Sequence, residues 1–305
     1  MSWIVVTNPR SRANRRRPQL ATSLSAVLGP RGAVVSPPSL EALDELAPHL
    51  ADAEVLGVHG GDGTLHRVLT ALHRAGLAPP PVVLLRGGTM NIVADSIGNR
   101  MEATEALAGV LGGGPTHEVV RHTLEVDLGD RQVVGFLAGG GIISRFLELY
   151  YEREEPTPAD AAWLLGRGAL SAMVGGRLAR RLTRPFEGAM VLDDEPWPGR
   201  RWLAVAVGTV EQLGLGFTPF PGVAREPGKM HVIGIGSGIA RLALELPSVY
   251  RGRGVHQEGN REGMATCLRL QADEPVVCMV DGDFHAGGNE VVMRVGAPVT
   301  FVVPG

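Results

Sequence analysis

Four short apolar runs, Trp3 to Thr7, Ala33 to Ser36, Val55 to His59 and Val82 to Leu85, are separated by stretches in which leucines recur at helical spacing. The helical stretches, around Leu20 to Leu28, Leu40 to Leu50 and Thr64 to Ala75, are long enough to return the chain from the end of one strand to the start of the next. Two further helical patterns follow the fourth run. Strands joined this way run parallel, so this part of the chain is expected to form an open α/β sheet with crossover helices. Such sheets bind ligands beyond the carboxyl ends of their strands. The two most glycine-marked turns, HGGDGT and RGGTMN, fall at those ends.

In GVHGGDGTLHRVLTAL, Leu65, Val68, Leu69 and Leu72 set the helical period, so Gly60, Gly61 and Gly63 sit on a strand-to-helix turn. Glycine there permits positive φ and lets another group approach the bare backbone, and Thr64 is placed to cap the helix. A helix start with free N–H groups is an anion site, and phosphate is the usual anion. A carboxylate in such a loop would repel phosphate unless a cation or an amide intervened. Asp62 therefore points to a metal or a buried hydrogen bond, with a plain Asx-turn as the bland alternative. GGTMN, Gly87 to Asn91, is a second strand-to-helix turn and carries the hydroxyl of Thr89. Two more features stand in order along the chain: Asn8-Pro9 after the first strand, and VDGDFH, Val280 to His285, after a late one. Either alone reads as an ordinary turn, the second as a hairpin.

Near LGGGPTHE, Leu111 to Glu118, the pattern changes to strands such as Val119 to Leu128, Val133 to Ala138, Trp202 to Val207, Met230 to Ile235, Val276 to Val280 and Val291 to Val295. At roughly 150 residues per domain, 305 residues make two domains. The expected division is an α/β domain over 1–118 and a mainly β sandwich domain over 119–305, the latter with a helical insertion at about 143–184 whose end packs back on the first domain. That insertion gathers Arg177, Arg180, Arg181 and Arg184 beside Trp163, Leu164, Leu165, Leu170, Met173 and Val174. A packed helix with a solvated basic end outweighs a membrane-surface element there, because charge runs are usually exposed faces.

A net charge of -3 and the lack of interleaved basic and aromatic residues give no reason to expect a nucleic-acid partner. The sequence begins without the features of a signal peptide and has no apolar run able to cross a bilayer, so a cytoplasmic protein is expected, with any membrane contact peripheral. Homo-oligomerisation is left open. Cys267 and Cys278 lie in strand-like segments without metal-knuckle spacing and read as reduced core thiols. Lys229 is the only lysine. P-loop and protein-kinase mechanisms both need a lysine near a glycine loop, and both are excluded.

Together these motifs resemble the diacylglycerol kinase catalytic family, which includes bacterial soluble lipid kinases and sphingosine and ceramide kinases. NPRSR is similar to the family's first-strand motif, GGDGTLHRVLTAL to its signature loop and helix, and RGGTMNIVADSIG to its second loop. LGLGFTPFPGVAREPGKMHVIGI is similar to its central β segment, and VDGDFH stands where Asp-Gly-Glu is usual. The resemblance covers nearly the whole chain, although GGDGT is shared with NAD kinases.

The resemblance implies ATP and Mg2+ as cofactors. It places nucleotide contacts at Asn8, Ser36, Gly60, Gly61, Asp62, Gly63, Thr64, Leu65, His66, Gly88 and Thr89. It makes Asp283 the acidic proton acceptor, assisted by Asp62, with Asp62 and Asp281 as metal candidates. The acceptor is then a hydroxyl of a diacylglycerol-like lipid presented at a membrane surface, its head entering between the two domains. Three departures accompany this: Asp283 is one methylene shorter than glutamate, Arg67 stands where an acid is common, and Pro227-Gly228 replaces the family's Asp-Gly associated with a bound magnesium. The alternatives are a soluble-substrate kinase of the NAD kinase type and a nucleotide- or lipid-binding protein without catalysis.

Overall fold

The computed structural model describes residues 3–9, 11–151, 184–213 and 216–305. The chain divides into two compact units, Met1–Thr123 with Val133–Gly135 and Gly296–Gly305, and Leu124–Gln132 with Phe136–Val295. The sequence places the first boundary at 118 and the chain end in the second domain. The difference has a structural cause: one long strand, Glu290–Pro304, begins in the second unit and ends in the first.

The first unit runs β1 (Trp3–Thr7), α1 (Arg12–Arg16), α2 (Leu20–Leu28), β2 (Gly32–Val35), α3 (Leu40–Ala51), β3 (Val55–Gly60), α4 (Asp62–Arg74) and β4 (Val82–Arg86). It continues with α5 (Ile92–Ser96), α6 (Ala103–Leu111), most of β5 (Thr116–Asp127) and β6 (Gln132–Gly135). β1 pairs in parallel with β2 on one side and β3 on the other, and β3 pairs in parallel with β4. The chain therefore reverses its direction of travel across the sheet at β1. Because crossovers are right-handed, that reversal puts helices on both faces. α2 and α6 enclose one core with Trp3, Val5, Val83 and Leu85, where Leu24, Leu28 and Leu107 are fully buried. Each such leucine contributes about 1.5–3 kcal/mol of transfer free energy. Leu43, Ala47 and Leu50 of α3 and Leu65, Val68, Leu69 and Leu72 of α4 are buried as their spacing predicts.

The second unit contains β7 (Leu137–Gly141), α7 (Ile142–Tyr151), β8 (Phe186–Leu192), β9 (Glu195–Pro196), β10 (Arg201–Trp202), β11 (Ala204–Gly208) and β12 (Met230–Ile235). Then come α8 (Ile239–Tyr250), β13 (Asn260–Ala265), β14 (Cys267–Ala272), β15 (Val277–Val280), β16 (Asp283–Ala286) and β17 (Glu290–Pro304). One antiparallel sheet has the order β13-β12-β11-β7-β15-β16, and β10-β8-β14-β17 is the antiparallel part of an 11-stranded sheet that continues from β17 to β4. The two face each other closely, since a Cβ on Gly234 of β12 would lie 2.9 Å from Met190 of β8 and from Trp202 of β10. This is the expected sandwich. The strand expected over 133–138 is two strands broken at Phe136, and α8 has no counterpart in the sequence reading.

Both cysteines are free, and burial pushes the Cys278 thiol up to about 12. Of the helical insertion, 152–183 lie outside the described residues, including Arg177, Arg180, Arg181 and the apolar residues expected beside them. Arg184 is described and pairs with Glu274 at 3.1 Å.

Candidate active site

β1 to β4 are parallel, so their carboxyl ends share one edge, where Asn8, Ser36, the GGDGT turn and the GGTMN turn all emerge. Ser36 is exposed just beyond β2, at the edge of the sheet. The switch in strand order lies between β1 and β3, the usual place for a ligand crevice. There the Asn8 side-chain amide donates to Thr64 Oγ1 at 3.2 Å, joining the first-strand motif to the glycine loop. The Asn8 backbone amide donates to His59 O at 3.2 Å.

The glycines are required for a different reason from the one expected. None of Gly60, Gly61, Gly63, Gly87 or Gly88 has positive φ. What Gly61, Gly87 and Gly88 permit is backbone against backbone. A Cβ on Gly88 would lie 2.3 Å from Gly61 Cα, one on Gly61 2.9 Å from Gly88 Cα, and one on Gly87 3.1 Å from Gly60 Cα. Gly87 N also donates to Gly60 O at 2.8 Å. The two turns are thus a single structure. The crevice between them, lined by Gly60, Gly61, Asp62, Arg86, Asn91 and Val93 among others, has a volume of about 20 Å³. That holds at most one water.

The second turn is braced from behind. Arg86 pairs with Asp95 of α5 and donates to Asn99 O at 2.9 Å, and the buried Asn99 amide donates to Leu84 O at 2.7 Å. Asn91, left-handed at φ 52°, accepts from Gly88 N at 2.9 Å and donates back to Gly88 O at 3.1 Å. The Thr89 hydroxyl, half-buried at this edge, makes no hydrogen bond among the described residues and is available to a ligand.

Asp62 accepts from Val93 N at 3.0 Å, so the amide that the sequence reading required is the first turn of α5. Burial pushes this carboxyl upward against the pull of the Val93 and Ile92 amides, and Asp95 adds to the rise. Thr64 does not cap α4, which starts at Asp62 with Gly61 at its N-cap and no side-chain cap. Leu65 and His66 point into the protein: Leu65 is in the core, and the buried His66 Nδ1 is 2.7 Å from Val134 O. Arg67 is exposed.

Beneath the turns lies a buried cluster that the sequence reading missed. His59 Nδ1 is 2.8 Å from Thr7 Oγ1, and the Asn14 amide donates to Thr7 Oγ1 at 2.8 Å and to Asn8 O at 2.6 Å. His59 Nε2 and Asn14 Oδ1 are buried without a hydrogen-bond partner among the described residues. Burial lowers the His59 pKa to about 4, so the imidazole is neutral at pH 7. The available signal was a histidine at the end of a strand of otherwise apolar residues.

In the second unit, Asp281 and Gly282 both have positive φ, at 45° and 90°, and join β15 to β16, with Val280 opposite Asp283. VDGDFH is therefore a two-residue hairpin of the Asp-Gly type. The Asp281 carboxylate is buried and accepts from Leu137 N at 2.9 Å and from Phe136 N at 3.0 Å, fixing the start of β7. Asp283, half-buried, is the first residue after the hairpin turn. Among the described residues no group of three or more His, Cys, Asp or Glu side chains is arranged to hold a metal. Asp62 and Asp281 each spend their carboxylate on backbone amides, and Glu226, beside Pro227, pairs with Lys229 at 2.8 Å. These residues do not fit a resident magnesium.

Residues 2–123 match the family model for the diacylglycerol kinase catalytic domain. No curated protein matches the chain by sequence. The fold is similar to a diacylglycerol kinase from Bacillus anthracis str. Sterne, with 15% identity, 98% of this chain and 96% of that chain covered, and a TM-score of 0.66. A second protein of that organism, provisionally assigned as a diacylglycerol kinase, gives 13% identity, 99% and 97% coverage and a TM-score of 0.72. Yeast NADH kinase complexed with NADH gives 11% identity, 99% and 83% coverage and a TM-score of 0.56. These are likenesses of fold. The match over residues 2–123 takes in both glycine turns, and the family it points to is one of phosphotransferases of the kinase type.

Proposed function

We propose that the protein transfers the γ-phosphoryl group of ATP, supplied with Mg2+ as part of the substrate, to a hydroxyl of a diacylglycerol-like lipid. The observation that carries this reading is the fusion of the GGDGT and GGTMN turns at the carboxyl edge of the sheet, inside the matched domain and tied to Asn8 through Thr64. In this reading the phosphates lie over Gly60, Gly61, Gly63 and Gly88, near the uncapped start of α4, and Thr89 donates its hydroxyl to them. Phosphoryl transfer has a loose transition state, so positioning and charge stabilisation matter more than a strong base. Asp283 takes the proton of the acceptor hydroxyl, a task within the reach of an ordinary carboxylate. The reaction occurs at a membrane surface to which the protein is peripheral; among the described residues no helix is long and apolar enough to cross a membrane.

The test is incubation with labelled ATP and Mg2+ against a total lipid extract, with NAD in a parallel arm, followed by product identification. A labelled lipid is expected. Labelled NADP in place of lipid would assign the soluble-substrate reading, and ATP binding without turnover in either arm would make the protein a binder. Within the lipid reading, Asp283→Asn is expected to keep ATP affinity and lose about 100- to 10,000-fold in kcat. Full turnover in that variant would remove Asp283 from the mechanism.

A further inference from the structure

α8 is built with its polarity inverted. Its one acidic residue, Glu245, is buried and accepts from the backbone amides of His256 and Gln257 and from the Asn260 side chain. Its outward line, Ala240, Leu244 and Pro247 at i, i+4 and i+7, is exposed and wholly apolar. Leu244 is 71% exposed and Tyr250, at the end of the helix, 49%. In a helix packed on a protein surface the apolar face ordinarily turns inward; here the Tyr250 ring packs edge-on to Phe217, and the line Ala240, Leu244 and Pro247 is left exposed.

The charge around that face is biased towards the basic. From 236 to 262 the exposed charged residues are Arg241, Arg251, Arg253 and Arg261 against Glu258 and Glu262, in a chain whose net charge is -3. Arg251, the C-cap of the helix, continues the line of Leu244 and Pro247. An apolar stripe rimmed by arginines, with a tyrosine at its end, is complementary to the boundary between anionic headgroups and acyl chains. At 12 residues the helix is about 18 Å long, too short to span a bilayer core of about 30 Å.

We propose that the outward face of α8 docks the protein on an anionic bilayer, with Leu244 and Tyr250 entering the interface and Arg241, Arg251 and Arg253 engaging the headgroups. As an account of how the enzyme reaches its substrate this rests on the lipid-kinase reading, but the docking itself is measured without turnover.

The test is sedimentation of the full-length protein with vesicles of phosphatidylcholine containing phosphatidylglycerol, beside vesicles of phosphatidylcholine alone. The protein is expected to partition onto the anionic vesicles. Leu244→Glu should weaken partitioning about tenfold. The double variant Arg251→Glu, Arg253→Glu should weaken it roughly 30-fold, about fivefold for each basic residue taken from the surface. All three side chains are exposed, so circular dichroism and melting temperature should be unchanged. Phosphorylation of a short-chain diacylglycerol below its critical micelle concentration, which needs no bilayer, should be unaffected by either change.

Partitioning that is unchanged in both variants overturns the proposal. So does a Leu244→Glu variant that dissociates a dimer of the wild type while vesicle binding persists, because a second copy then covers this face. Wild-type binding that depends on Leu244 and the arginines, with no lipid phosphorylated, leaves docking standing and removes the kinase reading. Turnover of the soluble lipid without α8-dependent partitioning does the reverse.

Discussion

Gly88→Ala tests whether the two glycine turns act as one structure. The added Cβ would lie 2.3 Å from Gly61 Cα and 3.1 Å from Gly61 N, whereas ordinary contact begins at 3.4 Å. The turns must separate by about 1 Å, and the obstructing atoms are backbone, so no rotamer change relieves the contact. Overpacking of this kind costs about 1–3 kcal/mol, or roughly 2–12 °C in Tm if the first unit melts as a domain of its size. The separation also moves Gly61, the N-cap of α4, and the Gly88–Asn91 bonds that shape the second turn. ATP affinity should therefore fall along with Tm. Gly238→Ala is the control, since a Cβ there meets nothing within 4 Å and φ is -73°. The measurements are differential scanning fluorimetry and calorimetric titration with ATP and Mg2+. A Gly88→Ala protein with wild-type Tm and wild-type ATP affinity would refute the fused-turn account, and a lowered Tm with intact ATP affinity would separate the packing from the binding role.

His59 titrates near 6.5 when unfolded and near 4 when folded, so the unfolded chain takes up a proton that the native state resists. Stability from this group is full above pH 6.5 and is lost as pH falls toward 4, by about 3 kcal/mol in all. Denaturant unfolding at pH 7 and pH 4.5 should show a smaller drop in His59→Asn than in the wild type, and equal drops would contradict the burial argument. Asp281→Ala removes the acceptor of the Phe136 and Leu137 amides, which should cost about 1–3 kcal/mol in chemical denaturation. An unchanged midpoint would free Asp281 for a ligand role.

Much of what neighbours in the chain determine was read correctly, although the cap at Thr64 and the positive φ of the loop glycines were not. Period 3.6 in α4, apolar runs in β1 to β4 and the Asp-Gly turn before Asp283 are set by residues a few positions apart, so composition and spacing suffice. The same locality explains the order of the motifs along the carboxyl edge, which follows from parallel strands alone. Partners that lie far apart in the sequence were decided by tertiary structure. Asp62 read as a metal ligand or a buried hydrogen bond, and only Val93, 31 residues on, decided for the hydrogen bond. Gly61 looked like a phosphate clearance until Gly88 filled it. His59, Thr7 and Asn14 form one cluster only because β1 and β3 are adjacent. Alternation marks Phe301 and Val303 as buried residues of a strand, but not that β17 leaves the antiparallel sheet to pair in parallel with β4. α8 shows the limit most sharply: its spacing permits a helix, yet whether Leu244 or Glu245 faces inward depended on the backbone amides of His256 and Gln257 and on the Asn260 side chain, which hold the acid from the far side of a loop. Periodicity says which residues share a face; burial of that face depends on what the rest of the chain brings to it.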